Sequence, residues 1–112
     1  MRIKRVYEPA ATADGRRVLI DRLWPRGVSR SEARLDEWAR ELAPSRELRQ
    51  WFGHDPARFD EFRHRYAREL AAQEAKLDEL RRRARAGTLT LVYAAHDTEH
   101  NDAVVVAEIL RG

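Results

Sequence analysis

The chain has 112 residues, 43% of them hydrophobic and 37% charged, with three each of Trp, Tyr and Phe, enough for one core of about 100 to 150 residues and too much for a disordered segment. The absence of cysteine excludes disulfides, thiol nucleophiles and cysteine-held metal centres. The net charge of +3 hides a pI of about 9.8, because nearly all the basic residues are arginine, interspersed with 19 acids.

Such a balance reads as a mixed solvated surface, with a nucleic-acid or phosphate partner as the other reading. No stretch approaches the roughly 20 apolar residues needed to span a bilayer. Met1 leads into Arg2, Ile3, Lys4 and Arg5 without the apolar centre of a signal peptide, so a cytoplasmic protein with no membrane association is expected.

Ile3 to Tyr7 alternates in the period of a half-exposed strand. Pro9 and the Asp14-Gly15 pair mark a turn. The loop from Glu8 to Arg16 is too short for a crossover helix between neighbouring strands, which leaves a hairpin or a flanking strand. Val18, Leu19 and Ile20 then form a run suited to burial on both faces. Pro25 and Gly27 end regular structure, so this strand delivers Asp21, Arg22, Trp24 and Arg26 at or beyond its C-terminal end. In open α/β sheets that is where ligands bind.

Ser29 and Ser31 are candidate caps for a helix whose first turn holds Glu32. Leu35, Trp38, Ala39 and Leu42 share one helical face, with a short strand over Asp36 to Leu42 as the alternative. After Ala43-Pro44-Ser45, Ser45 suits an N-cap, Leu48, Trp51 and Phe52 form a small apolar face, and Gly53 closes the segment. Asp55 and Pro56 open the longest element as N-cap and first helical residue. Phe59, Phe62, Tyr66, Leu70, Leu77, Leu80 and Ala84 recur at three- and four-residue steps up to Gly87. An unbroken helix over that span would be roughly 45 Å long at 1.5 Å per residue. A break near Ala71 to Ala75 is therefore expected, or a projecting end that contacts a partner.

Thr88 to Ala95 is a second buried strand, followed by a polar loop from His96 to Asp102 and a closing helix over Ala103 to Leu110. The pattern predicts a small single-domain α/β fold over residues 1–112, with a partly parallel sheet flanked by helices, one of them long and amphipathic. If the two buried strands are parallel neighbours, their loops open on one edge. Arg22 and Arg26 then join His96 and the helix N-terminus at Asn101 as anion ligands, with Trp24 as a stacking surface. Asp21, His54 and His96 are the candidate proton carriers.

Each residue also has a structural reading: an ion pair for Asp21 and Arg22, core packing for the tryptophans, caps for Ser45, Asn101 and Asp102. His96 and His100 lie on a loop that fixes no ligand spacing, so no metal or other cofactor is expected. No P-loop, dinucleotide glycine fingerprint or nucleophile elbow is present.

Six runs carry a resemblance: Arg17 to Val28, Leu42 to Ser45, Leu48 to Pro56, Phe62 to Leu70, Thr90 to Asp97 and Asn101 to Val106. Together they resemble the YeaO-like family of small bacterial proteins, a branch of domain of unknown function 488. The resemblance spans nearly the whole chain, favours a strand over Leu35 to Leu42, and implies no particular activity. It places Asp21, Arg22, Trp24, Pro25, Arg26, Gly27, Ser45, His54, Asp55, Arg65, Tyr66, Glu69 and Asn101 on signature positions. Longer relatives have a Cys-His-Arg turn where this chain has Glu99, His100 and Asn101, so thiol chemistry does not carry over.

The functional expectation is recognition of an anionic, phosphate- or nucleotide-like small molecule. Asp21 and His54 are the catalytic candidates should there be turnover. Arg22, Trp24, Arg26, Ser45, Arg65, Tyr66, Glu69, His96 and Asn101 are the ligand-binding candidates. A nucleic-acid module using the arginine-rich helix and a protein-interaction domain, monomeric or homodimeric, are the alternatives.

Overall fold

Strand β4 (Leu89–Tyr93) organises the fold, buried along its whole length. In the computed structural model, which describes residues 1–112, it pairs in parallel with β1 (Arg2–Arg5) on one side and β2 (Arg16–Leu19) on the other. β3 (Glu37–Trp38) completes a sheet of order β1-β4-β2-β3 in which every pairing is parallel. β1 is thus a flanking strand separated from β2 by β4, and the hairpin alternative is not realised.

The odd and even positions of these strands feed different layers, as a period of two requires. Val18, Ile20, Leu89, Leu91 and Tyr93 join the main core with α2 (Arg46–Phe52), α3 (Phe59–Leu70), α4 (Glu74–Ala86) and α5 (Asp102–Arg111). Val6, Leu19 and Val92 face the other way, covered by the β2–β3 connection: Trp24, Val28, Leu35 and Trp38 together with Ala33 of α1 (Arg30–Ala33). Ser29 caps α1 by accepting from Glu32 N–H while Glu32 reaches back to Ser29 N–H, a reciprocal box.

The segment around Leu35 to Leu42 resolves into the two-residue β3 followed by a 3₁₀ turn over Arg40–Leu42, not a helix. The stretch from Pro56 to Ala86 is helical for 31 residues. A straight helix of that length would reach roughly 46 Å, beyond the longest dimension of 35 Å. It bends where a break was expected, at a 3₁₀ turn over Ala71–Gln73, with Gln73 leaving helical backbone at φ −114 and ψ 31. Both halves therefore pack on α5. No helix is long and apolar enough to cross a membrane.

At the N-terminal edge of the sheet, Asp14 is fully buried. It accepts from Lys4 Nζ at 3.0 Å and from Arg17 Nη1 at 2.7 Å. Arg17, only 3% exposed, also donates to the Ala33 carbonyl and so ties α1 to the sheet. Burial pushes the Asp14 carboxyl up, but the Ala11 N–H, Lys4 and Arg17 outweigh it and hold it at about 2 against an ordinary 3.8. The folded value lies below the unfolded one, so this contribution is whole above pH 3.8 and is lost as the pH falls toward 2. Asp14→Ala strands a buried guanidinium and is expected to cost about 3–5 kcal/mol in urea unfolding, with the acid limb of the wild-type stability curve flattened. The next residue, Gly15, sits at φ +62 with the Thr88 carbonyl oxygen 2.3 Å from where a Cβ would lie. Gly15→Ala should therefore cost about 2 kcal/mol or more in the same assay.

Candidate functional site

The loops that leave β2 and β4 turn to opposite faces of the sheet, one into the Trp24 layer and the other into α5. Adjacent parallel strands whose connections diverge in this way define the switch point of an open α/β sheet, the crevice position of such folds. Asp21, the second residue after β2, bridges the two strands there. Its Oδ2 accepts Ala94 N–H at 2.9 Å and its carbonyl accepts the Trp38 indole N–H at 2.6 Å.

Asn101 starts α5 from the other side. It is nearly fully buried, accepts Val104 N–H on Oδ1 at 2.9 Å and donates Nδ2–H to the Asp97 carbonyl. This cap aims the next residue, Asp102, across the crevice. Asp102 Oδ1 takes Ala103 N–H at 2.7 Å, and its carboxyl lies within hydrogen-bonding reach of Asp21. Both carboxyls are only partly exposed.

Helix α2 brings positive charge to the pair. Ser45 caps it by accepting Leu48 N–H, and Arg49 follows four residues later. The helix stops at Gly53 in the left-handed region, and His54 continues there at φ 57, unusual for a residue with a side chain. The charges of Arg49 and His54 both pull the Asp21 carboxyl down, and Arg49 also acts on Asp102.

They do not prevail. Burial raises Asp21 above the ordinary 3.8 despite hydrogen bonds from Asp102 and Ala94 N–H. Burial, then the Asp21 charge and the bond to it, push Asp102 well above 3.8. Two adjacent carboxyls cannot both ionise cheaply, and Asp102 is the one moved further from its ordinary range.

The expected site residues fall into three groups. Asp21 shares this edge with Asp102, and Arg49 and His54, both exposed, act on Asp21 through charge rather than contact. Tyr66, Ser45 and Glu69 stand behind it: the Tyr66 hydroxyl, fully buried, donates to the Leu42 carbonyl at 2.5 Å. The Glu69 carboxylate accepts Ser45 N–H at 2.8 Å and Ser45 Oγ–H at 2.6 Å. Burial foremost, with the charges of Asp102, Asp21 and Glu69, raises the Tyr66 phenol well above its ordinary 10.

The third group is engaged elsewhere or open to solvent. Trp24 donates its indole N–H to Val28 O, meets Trp38 edge-on at 5.4 Å and lies under Arg30. Arg65 bonds Glu61 at 2.8 Å and covers Trp51. Arg22, Arg26 and His96 are exposed, and the Arg26 carbonyl accepts the Tyr7 hydroxyl. His100 pairs with Asp97 at 2.9 Å and packs edge-on against Phe59. No group of three or more His, Cys, Asp or Glu side chains is placed to hold a metal ion.

The family model described as the inactive DUF488-N3 subclade matches residues 1–112. The chain belongs to this family. It is 43% identical over 112 residues to an uncharacterised protein of Mycobacterium tuberculosis, covering all of this chain and 94% of the relative. It is 45% identical over 108 residues to the uncharacterised protein YeaO of Escherichia coli, covering 96% of this chain and 94% of that protein. No solved structure matches.

In this DUF488-N3 chain the raised carboxyls act on stability in the sense opposite to Asp14. The folded state holds a proton that the unfolded chain releases near 3.8, so stability is fullest below that pH and declines as the pH rises toward the folded values. Asp102→Asn keeps a donor facing Asp21 without a charge to bury. It should flatten that decline and raise the Tm at pH 8, by roughly 4–8 °C for each kcal/mol relieved. Melting curves from pH 4 to 8 check this.

Proposed function

We propose that this chain binds a small anionic ligand, phosphate- or nucleotide-like, in the crevice between the C-terminal ends of β2 and β4. The observation that carries this reading is that Arg49, on the helix that Ser45 caps, acts on both Asp21 and Asp102 at this sheet edge while making no ion pair within 4.0 Å. An unpaired guanidinium beside a partly desolvated floor suits a bound anion. Arg22 directly follows Asp21 and Arg26 lies further along the same exposed loop, so both can close on the ligand from the β2 side.

Binding without turnover fits the description of the family as an inactive subclade. The Asp21–Asp102 pair supplies hydrogen-bonding oxygens at the floor. For the nucleic-acid reading, Arg68, Arg82, Arg83 and Arg85 of the long helix make no ion pair, whereas Arg63, Arg65 and Arg81 are each bonded to acids. That reading predicts affinity that falls steeply with salt.

A thermal-shift screen against inorganic phosphate, nucleoside phosphates and small carboxylates tests the proposal. A ligand at about 100 times its Kd adds roughly 2.7 kcal/mol, a rise of some 10 °C or more in a domain of this size. The shift should shrink in Arg49→Ala and in Arg22→Ala. An equal shift in wild type and Arg49→Ala, or none with any anion, overturns the reading.

A further inference from the structure

We propose that the N-terminal edge of the sheet, opposite the crevice, is a surface for the phosphate backbone of a nucleic-acid duplex, formed by Arg82, Arg83 and Arg85 of α4 with Arg111 of α5. It stands apart from the anion site above and does not rest on it.

The topology gathers these side chains. Helix α4 hands the chain to the start of β4 through Gly87 and Thr88, and α5 returns from the end of β4, so both helices finish where the parallel strands begin. Arg81 Nη2–H donates to the Ile109 carbonyl at 3.1 Å and ties the two helix ends together. Arg81, Arg85 and Arg111 line one cleft of about 420 Å³ with Met1, the residue before β1. Arg82 and Arg83 line a second of about 350 Å³ on the outer side of α4, with Glu79. The Arg16 N–H reaches the Thr88 carbonyl at 3.0 Å, which sets the exit of α4 against the start of β2.

The positive charge there is not consumed. From Arg81 to Gly87 the chain has four arginines and no acid. The acids of the neighbouring turns are engaged: Glu74 and Asp78 by Arg81, Glu79 by Lys76, Glu108 by Arg63. Arg82, Arg83, Arg85 and Arg111 are exposed and make no ion pair within 4.0 Å. The helix dipole favours cations in a last turn, which accounts for Arg83, Arg85 and Arg111 one by one. It accounts neither for Arg82 nor for two such helix ends meeting at one edge.

The rest of the surface selects the partner. A guanidinium is a planar fork that matches phosphate oxygens. Neither cleft is lined by an aromatic residue, so unpaired bases find no face to stack on. The exposed large apolar residues, Tyr7 and Leu23, lie beyond the C-terminal ends of β1 and β2, so this edge has no apolar anchor for a bilayer. A duplex, whose outer surface is phosphate and sugar, meets both conditions.

Fluorescence anisotropy of the full chain with labelled DNA and RNA duplexes of about 20 base pairs, at roughly 50 to 200 mM salt, tests the inference. Four phosphate contacts give a slope of about −3.6 for log affinity against log salt, an approximately hundredfold loss over that range. Binding of either duplex with such a slope supports the inference, and the tighter of the two names the source. Arg82→Ala/Arg85→Ala should weaken binding and make the slope shallower by about 2. Arg40→Ala/Arg46→Ala removes the same charge beyond the end of β3 and is expected to keep the wild-type slope. A wild-type slope shallower than about −1, or the same loss in both double variants, overturns the inference. So does tighter binding to a single strand or to phosphatidylserine vesicles than to the duplexes. The wild-type slope and the strand preference decide the matter even if a variant does not fold.

Discussion

The bond from Ala94 N–H to the Asp21 carboxylate is the constraint around which the C-terminal edge is built. Along β2 and β4 the ladder is ordinary backbone pairing, its last member running from Ile20 N–H to the Val92 carbonyl. One step further the acceptor is a side chain. A side-chain acceptor satisfies Ala94 without requiring the two strands to continue side by side, so the chains part there with no orphaned donor. The β2 connection goes to the face that Leu19 and Val92 look toward, and α5 goes to the face of Val18 and Leu91. The crevice is what remains between them, and the residue that permits it forms its floor.

The two edges of the sheet treat an aspartate in opposite ways. At the N-terminal edge Asp14 is fully buried but surrounded by Lys4, Arg17 and a backbone donor, so its negative charge is more than compensated. At the C-terminal edge Asp21 and Asp102 lie side by side, with Arg49 acting on both and His54 on Asp21, neither in an ion pair, and burial wins. One arrangement stabilises the fold at neutral pH and the other works against it. A fold keeps an arrangement of the second kind more readily where it serves a ligand than where it serves packing.

Periodicity and turn chemistry made the elements readable. Three consecutive apolar residues at Val18 marked a central strand. Asp55 with Pro56 marked the entry to the long helical stretch, and its length against the size of the chain required the bend that occurs at Ala71–Gln73. Only a two-residue strand at Glu37 lay below what a period can resolve, since helix and strand templates both fit so short a run. The candidate site was legible in part. Asp21 and His54 stood out because each borders a break in regular structure. Asp102 did not, because an acid at the first position of a helix is what the helix dipole favours anywhere. Its meeting with Asp21 depends on β4 lying beside β2, which no local pattern encodes. Arg49 is one of many exposed arginines, and only the turn of α2 onto the crevice distinguishes it.

That turn of α2 is itself enforced from behind. Glu69 on α3 holds both the backbone and the hydroxyl of Ser45, the residue that caps α2. Tyr66, one helical turn before Glu69, holds the Leu42 carbonyl just upstream. Charge-assisted bonds from a packed helix to the start of a seven-residue helix leave that helix little freedom to rotate. Arg49 lies one turn beyond the cap, and His54 follows the left-handed stop at Gly53, so the position of both side chains is set from α3. Residues on one helix can in this way decide where the charge on another sits. Ser45, Tyr66 and Glu69, ligand-binding candidates in the sequence, have in this fold the geometry of a brace for α2.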